Sequence, residues 1–277
     1  MTAALALADL GIAERARSGL PTEQLERLAA TLDLPRSPAG GAIPLLWHWA
    51  FFPATVPTSD LGVDGHPRLP AAGATQGLPR RMFAGGRVRS LAALRPDVPA
   101  ERRARLVAAV PKVGRSGRLL LVTVRYELHQ GGRLVREEEQ SLVYREQGAA
   151  MPLPTGSEQP ASPRRGWREQ ITVDRVRLFR FSAVTFNSHR IHYDADYAAA
   201  VEGYPGLVVH GPLVAMLLSE SARVHTGREV TAFEFRATAP LFEGEPFWVL
   251  GQPDGDRISL SAVRGDATTA MHATAQP

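Results

Sequence analysis

The spacing of apolar positions changes character several times along the chain. In PTEQLERLAATLDLP (21–35), Leu25, Leu28, Ala29 and Leu32 fall on one helical face. Thr22 stands where a cap is expected and Pro35 just past the end, so the stretch predicts an amphipathic helix. From residue 119 the period becomes two. Leu120, Val122, Val124, Tyr126 and Leu128 alternate with smaller or polar residues, Gly131-Gly132 supplies a tight turn, and RLVREEEQSLVYRE returns. Residues 119–145 therefore predict a β-hairpin. TVDRVRLFRFSAVT (172–185) reads as a strand or strand pair. GLVVHGPLVAMLLSESARVH (206–225) contains a helix with Leu213, Met216, Leu217 and Ala222 on its apolar face. Its expected N-cap is Gly211, with Pro212 where proline is tolerated. Four further strands are expected at 231–242, 245–252, 256–265 and 268–276.

Two segments lack periodicity, for different reasons. Residues 47–86 are rich in Pro and Gly, yet they carry Trp47, Trp49, Phe51, Phe52, Met82 and Phe83, which seek burial. This predicts an ordered, irregular wall rather than a linker. Residues 148–166, GAAMPLPTGSEQPASPRRG, have no such apolar content and predict a linker. Helices followed by runs of strands indicate an α+β design with a sheet wrapped on a helix.

Composition bounds the chemistry. The 277 residues are 44% hydrophobic, enough for a sizeable core. Cysteine is absent, which excludes disulfides, Cys-ligated zinc and a Cys nucleophile. The balance of 32 basic against 28 acidic side chains gives a net charge of +4. The short basic clusters Arg102–Arg105 and Arg164–Arg168 are expected on solvated loops or helix faces. No basic face interleaved with aromatics points to nucleic acid. The N-terminal stretch lacks a basic n-region and no apolar run is long enough to span a bilayer, so neither a signal peptide nor a membrane partner is expected, and the cytoplasm is the expected location.

The candidate chemistry is concentrated in TFNSHRIHYDADYA (185–198), followed by His210-Gly211-Pro212-Leu213. His189 and His192 are spaced as metal ligands can be, but Asn, Ser and Arg interrupt the helical pattern and no third ligand follows at a familiar spacing, so no metal is expected. Ser182, Ser188, Ser219 and Ser221 stand outside any G-x-S-x-G elbow. Acid–base chemistry fits better. Imidazole both donates and accepts a proton near neutral pH. The backbone N–H groups of a helix start can polarise a carbonyl. Together they suit hydration, dehydration or isomerisation next to a carbonyl. Alternatively, His189 and His210 simply satisfy loop backbone groups.

FNSHRIHYDADYAAAVEGYPGLVVHGPL resembles the MaoC-like hydratase family, whose motif D-x-N-P-[LIV]-H-x-D precedes H-G-x-L at the start of the central helix. WHWAFFPATVPTSDLGVDGHPR, LPRRMFAGGRV and TFNSHRIHYD are similar to one branch of it, containing mesaconyl-C4-CoA hydratase, itaconyl-CoA hydratase and the type 2 hydroxyacyl-thioester dehydratases. The resemblance implies a double hot-dog fold: an N-terminal hot dog at 1–147 without the catalytic motif, the linker at 148–166, and a catalytic MaoC-like hot dog at 167–277. It also implies reversible hydration of an α,β-unsaturated acyl thioester, such as mesaconyl-C4-CoA or itaconyl-CoA. Coenzyme A or acyl carrier protein would be part of the substrate, with no separate cofactor. His192 would be the acid/base, Asn187 would hold the water, and the Gly211 N–H would bind the thioester oxygen. Arg190, Tyr193, His210, Arg80 and Arg81 are the candidate substrate contacts; Asp194 is expected to cap a turn and His189 to support the loop. Asn187 departs from the family's Asp, and an amide cannot accept a proton as a carboxylate does. A hot-dog thioesterase or a non-catalytic acyl-thioester-binding protein are the alternatives. A monomer is viable because two hot dogs share one chain, and a homodimer is compatible with it.

Overall fold

The computed structural model describes residues 6–10, 12–34, 41–70, 73–114, 117–148, 150–152, 154–156 and 158–277. The N-terminal half contains β1 (Arg15–Ser18), α1 (Thr22–Leu32), β2 (Arg80–Ser90), β3 (Ala100–Gly114), β4 (Gly117–Gln130) and β5 (Arg133–Arg145). The C-terminal half contains β6 (Trp167–Thr172), α2 (Arg175–Thr185), α3 (Ala195–Ala200), α4 (Gly211–Thr226), β7 (Ala232–Ala237), β8 (Pro246–Asp254), β9 (Arg257–Arg264) and β10 (Thr269–Gln276). The strands form one antiparallel sheet in the order β1-β3-β4-β5-β2-β7-β10-β9-β8-β6. Each half thus repeats a single order, first-third-fourth-fifth-second, and the two second strands join them. This is the double hot dog.

The join is tight. Gly85 pairs with Arg236 and Gly86 with Phe235. A Cβ on Gly85 would stand 2.5 Å from the Phe235 carbonyl oxygen, and one on Gly86 would stand 2.6 Å from that of Glu139. The register shift between Phe83 and Gly85 on β2 falls at this point.

The halves differ in what they carry. In the C-terminal half α4 is almost wholly buried from Leu213 to Ala222 and packs against Phe233, Phe247, Val249, Leu260 and Ala273. Between β1 and β2 only α1 is a regular α-helix among the described residues; beyond it the chain runs through an irregular stretch with 3-10 turns at Trp47–Ala50 and Thr58–Asp60. That stretch is anchored by a buried polar network. Arg136 on β5, 2% exposed, donates to the carbonyls of Ile43 (3.0 Å) and Leu45 (2.7 Å). Glu138 accepts from Trp49 Nε1 at 2.7 Å and lies 2.6 Å from His48 Nε2. Arg136 Nη1 is 3.2 Å from His48 Nδ1. Burial lowers the His48 pKa, opposed by Glu138, and its Nδ1 is also 2.8 Å from the Leu45 carbonyl oxygen.

Several expectations are met and several corrected. The 119–145 hairpin is β4–β5, and the four C-terminal strands are β7 to β10. Residues 172–185 are not a strand: α2 occupies Arg175–Thr185, with β6 ahead of it. The V-R-L-F-R-F alternation mimics a strand, but Leu178, Phe181 and Val184 are buried at helical spacing and the Asp174 side chain accepts from Arg177 N–H at 2.8 Å. The N-cap of α4 is His210, and Gly211 is its first residue. Thr22 lies inside α1 and its hydroxyl bonds Asp97 at 2.6 Å; Pro35 is outside the described residues. The irregular stretch ends at residue 79, because β2 claims 80–86. Arg102 is not on a solvated loop: it lies in β3, over the rings of Phe52 (5.5 Å) and Tyr126 (5.0 Å). β1 and β3 had no clear signal. Residues 148–166 carry no described helix or strand.

Gly85→Ala should destabilise the protein by about 1–3 kcal/mol, the cost of overpacking where backbone must shift. Urea unfolding checks this; an unchanged midpoint contradicts the tight seam.

Candidate active site

A cavity of about 2320 Å³ lies where the two halves meet, lined by Trp49 and Phe83 from one and by Asn187, His192 and Gly211 from the other. His192 sits in a short 3-10 turn, Arg190–His192, and is 7% exposed. Its Nδ1 is 2.7 Å from the carbonyl oxygen of Val208. A carbonyl only accepts, so Nδ1 carries the proton, and in the neutral ring Nε2 holds the free lone pair. Burial pulls its pKa down to about 4, opposed by the Val208 bond, so the ring is neutral at pH 7.

Behind His192 its neighbour His210 stacks at 3.6 Å. His210 is fully buried, bonded through Nε2 to Ser182 Oγ at 2.9 Å, and does not line the cavity. In this position His210 backs the His192 ring. Its Nδ1 has no partner among the described residues. Gly211 opens α4, where first-turn N–H groups have no partner within the helix. A Cβ there would meet Phe83 at 3.4 Å, so glycine keeps this end close to β2.

Asn187 follows α2 directly. Its Oδ1 accepts from the His189 N–H at 3.0 Å, which leaves the amide NH2 for another partner. The arginines separate by their commitments. Arg80 is buried and paired with Glu202 at 2.9 Å, its guanidinium 4.8 Å from the Tyr204 ring centre. Arg190 pairs with Asp194 at 2.6 Å, donates to Val63 O at 3.1 Å and covers Tyr197 at 4.1 Å. Both border the cavity with their charge already engaged. Arg81 also borders it, half-buried. Tyr193 is 52% exposed at the rim. Asp194 caps α3, accepting from Tyr197 N–H at 2.9 Å.

The sequence points to the stretch 47–86 as a wall that lines or closes the acyl pocket, but singles out neither Gly65 nor His66 within it. The loop 61–67 of the N-terminal half is fastened to 187–190. Ser188 Oγ donates to Gly65 O at 2.6 Å, and the Arg190 N–H to Asp64 O at 2.8 Å. Gly65 has φ +84°, and a Cβ there would fall 1.9 Å from Ser188 O, so only glycine fits. The next residue, His66, packs its ring 4.2 Å from that of His189, which is 5.4 Å from His192. The available signal was Asp64-Gly65-His66 itself, a turn-forming pair followed by histidine within an otherwise apolar irregular stretch. Burial, then the Arg81 charge, lowers the His66 pKa well below its usual value. Burial, then His192, holds His189 at about 3. Among the described residues no group of three or more His, Cys, Asp or Glu is placed to hold a metal ion, and no helix is long and apolar enough to cross a membrane.

Comparison with known proteins places this geometry. The family model for hydroxyacyl-thioester dehydratase type 2 matches residues 46–243. The chain belongs to this family. Among its relatives, the mesaconyl-C(4)-CoA hydratase of Chloroflexus aurantiacus is 46% identical over 278 residues, covering 100% of this chain and 99% of that one. The mitochondrial hydroxyacyl-thioester dehydratase type 2 of Schizosaccharomyces pombe is 35% identical over 118 residues, 41% of this chain and 38% of that one. The MaoC-like dehydratase of Phytophthora capsici shares the fold at TM-score 0.69 and 14% identity, covering 98% of this chain and 97% of that one.

The buried histidines predict acid sensitivity. Their folded pKa values lie below the usual 6.5, so as pH falls through 6.5 the unfolded chain takes up protons that the folded chain refuses, and stability drops. Each contributes up to about 1.4 kcal/mol per pH unit within its window. For His192 that window runs from 6.5 to about 4. Urea unfolding at pH 7.5, 6 and 5 should show progressive loss; a flat profile contradicts neutral buried rings.

Proposed function

We propose that the protein reversibly hydrates an α,β-unsaturated acyl-CoA thioester, preferring a short branched dicarboxylic acyl group of the mesaconyl-C4 or itaconyl type. The observation that carries the reading is the Val208 carbonyl holding His192 with its unprotonated Nε2 available to the cavity. The full-length likeness to a mesaconyl-C(4)-CoA hydratase supports the reaction class and the acyl group.

In the hydration direction His192 Nε2 takes a proton from water while the water oxygen bonds to the β carbon. The alkene electrons move to the α carbon, and negative charge grows on the thioester oxygen. The Gly211 N–H and the start of α4 face that charge, adding hydrogen bonding and the positive end of the helix dipole. The imidazolium of His192 then returns its proton to the α carbon. Asn187 orients the water through its amide NH2, because its oxygen is occupied by His189 N–H. In this role an amide replaces a carboxylate without loss, since His192 alone moves the proton. The stack with His210 and the bond to Val208 keep the ring from rotating as its charge changes. Coenzyme A enters only as part of the substrate. On this reading residues 1–147 shape the acyl wall through Trp49 and Phe83, 148–166 connect, and 167–277 carry the chemistry.

His192→Ala should lower turnover of a branched enoyl-CoA at least about 100-fold, the low end of general acid–base contributions, with an unchanged circular dichroism spectrum. Near-native hydration by the variant would sink the assignment. Release of free thiol without alkene hydration would favour a thioesterase instead.

A further inference from the structure

The arginines that border the cavity are not equivalent. Arg80, Arg87 and Arg190 each face a carboxylate, from Glu202, Glu139 and Asp194, at 2.9, 2.7 and 2.6 Å. Arg81 has neither an ion pair nor a hydrogen bond from its guanidinium among the described residues, although it is half-buried. It lies on β2 directly across from Tyr144 of β5, whose fully buried hydroxyl is also unpartnered. It lines the same cavity as His66 and His189, and its charge helps to lower the pKa of both. Those two rings lie 4.2 Å apart at a tilt of 38°, and their nitrogens bond no protein group among the described residues. The carboxylate near this group, Asp64, has Oδ1 bonded to the His66 N–H at 3.1 Å; the Arg81 charge reaches it without a direct ion pair. A half-buried cation that no carboxylate contacts among the described residues, beside neutral N–H donors, is suited to an anion.

We propose that Arg81, together with His66 and His189, receives a carboxylate borne on or next to the β carbon of the acyl chain. The inference rests on the hydratase reading for its register and deepens it by naming the specificity residues. His189 is 5.4 Å from His192, so an anion held here lies at the reacting carbons. An acyl-CoA has only its acyl carboxylate there; its phosphates are at the far end of the pantetheine arm. The guanidinium offers paired donors matching a carboxylate, and each imidazole adds one N–H. The loop 61–67 exists, on this account, to carry His66 from the other half of the molecule to that place, which explains why Gly65 must lie against Ser188.

The test uses saturated thioesters, which cannot be hydrated. Succinyl-CoA and butyryl-CoA differ by a carboxylate in place of a methyl on the β carbon. By isothermal titration the native protein should bind succinyl-CoA at least about 10-fold tighter, as expected for hydrogen bonds to a charged group. Arg81→Met should bring the two within about 2-fold, Arg81→Lys should restore part of the preference, and His66→Gln should reduce it, all with native thermal melts. Equal binding by the native protein, or a preference surviving in Arg81→Met, would overturn the proposal. Turnover of mesaconyl-C4-CoA and crotonyl-CoA by the native protein is measured alongside. An Arg81-dependent preference without hydration of either would remove the hydratase reading and leave the carboxylate site standing; hydration with no such preference would do the reverse.

Discussion

Gly85 lets β2 close against β7 while Gly86 lets it close against β5 on its other side, and the rest of the molecule is arranged around that strand. With side chains there, the Phe235 and Glu139 carbonyls would have to move away. Because the strands meet, two five-stranded halves become one sheet, and the irregular stretch before β2 is delivered to the loop after α2. The bulge between Phe83 and Gly85 falls at the same place, where Phe83 meets Gly211 at the start of α4. The site is thus a property of the join rather than of either half.

The halves divide the labour by what lies between their first two strands. In the C-terminal half a long buried helix packs against the sheet, and its first residue, Gly211, borders the cavity. In the N-terminal half that space is taken by irregular chain, which needs another source of order. The Arg136–His48–Glu138 network provides it, satisfying loop carbonyls that no helix would. Its cost is the burial of charges, offset by dense hydrogen bonding. What results is a rigid wall, bearing Trp49 and ending in the loop that places His66, beside a cavity from which protons are repelled. Burial lowers the pKa of all four imidazoles, and at His66 and His189 the Arg81 guanidinium adds to it, so neutral rings can lie side by side.

Much of this was legible in the sequence, and the limits have physical causes. The β4–β5 hairpin and α4 follow from strict periodicity, and the motif around His192 with His210-Gly211 marked a loop that lines the cavity and the helix start. The segment 172–185 misled because its arginines and apolar residues alternate while also falling at helical spacing; the Asp174 cap decides for the helix. The separate fates of Arg80, Arg81 and Arg190 were invisible, since they depend on Glu202 and Asp194 meeting two of them in space. The Val208 carbonyl leaves no trace in sequence, because any residue supplies one. His66 escaped notice because its importance arises from a contact across 123 positions, through Ser188 and Gly65.

The central claim is that His192 presents a neutral ring, protonated on Nδ1, to the cavity. Nitrogen-15 NMR of histidine-labelled protein, assigned by a His192 variant, reads this directly. At pH 7 the account predicts a neutral Nδ1–H tautomer for His192, titrating only near pH 4. An imidazolium at pH 7, or a ring protonated on Nε2, would contradict it.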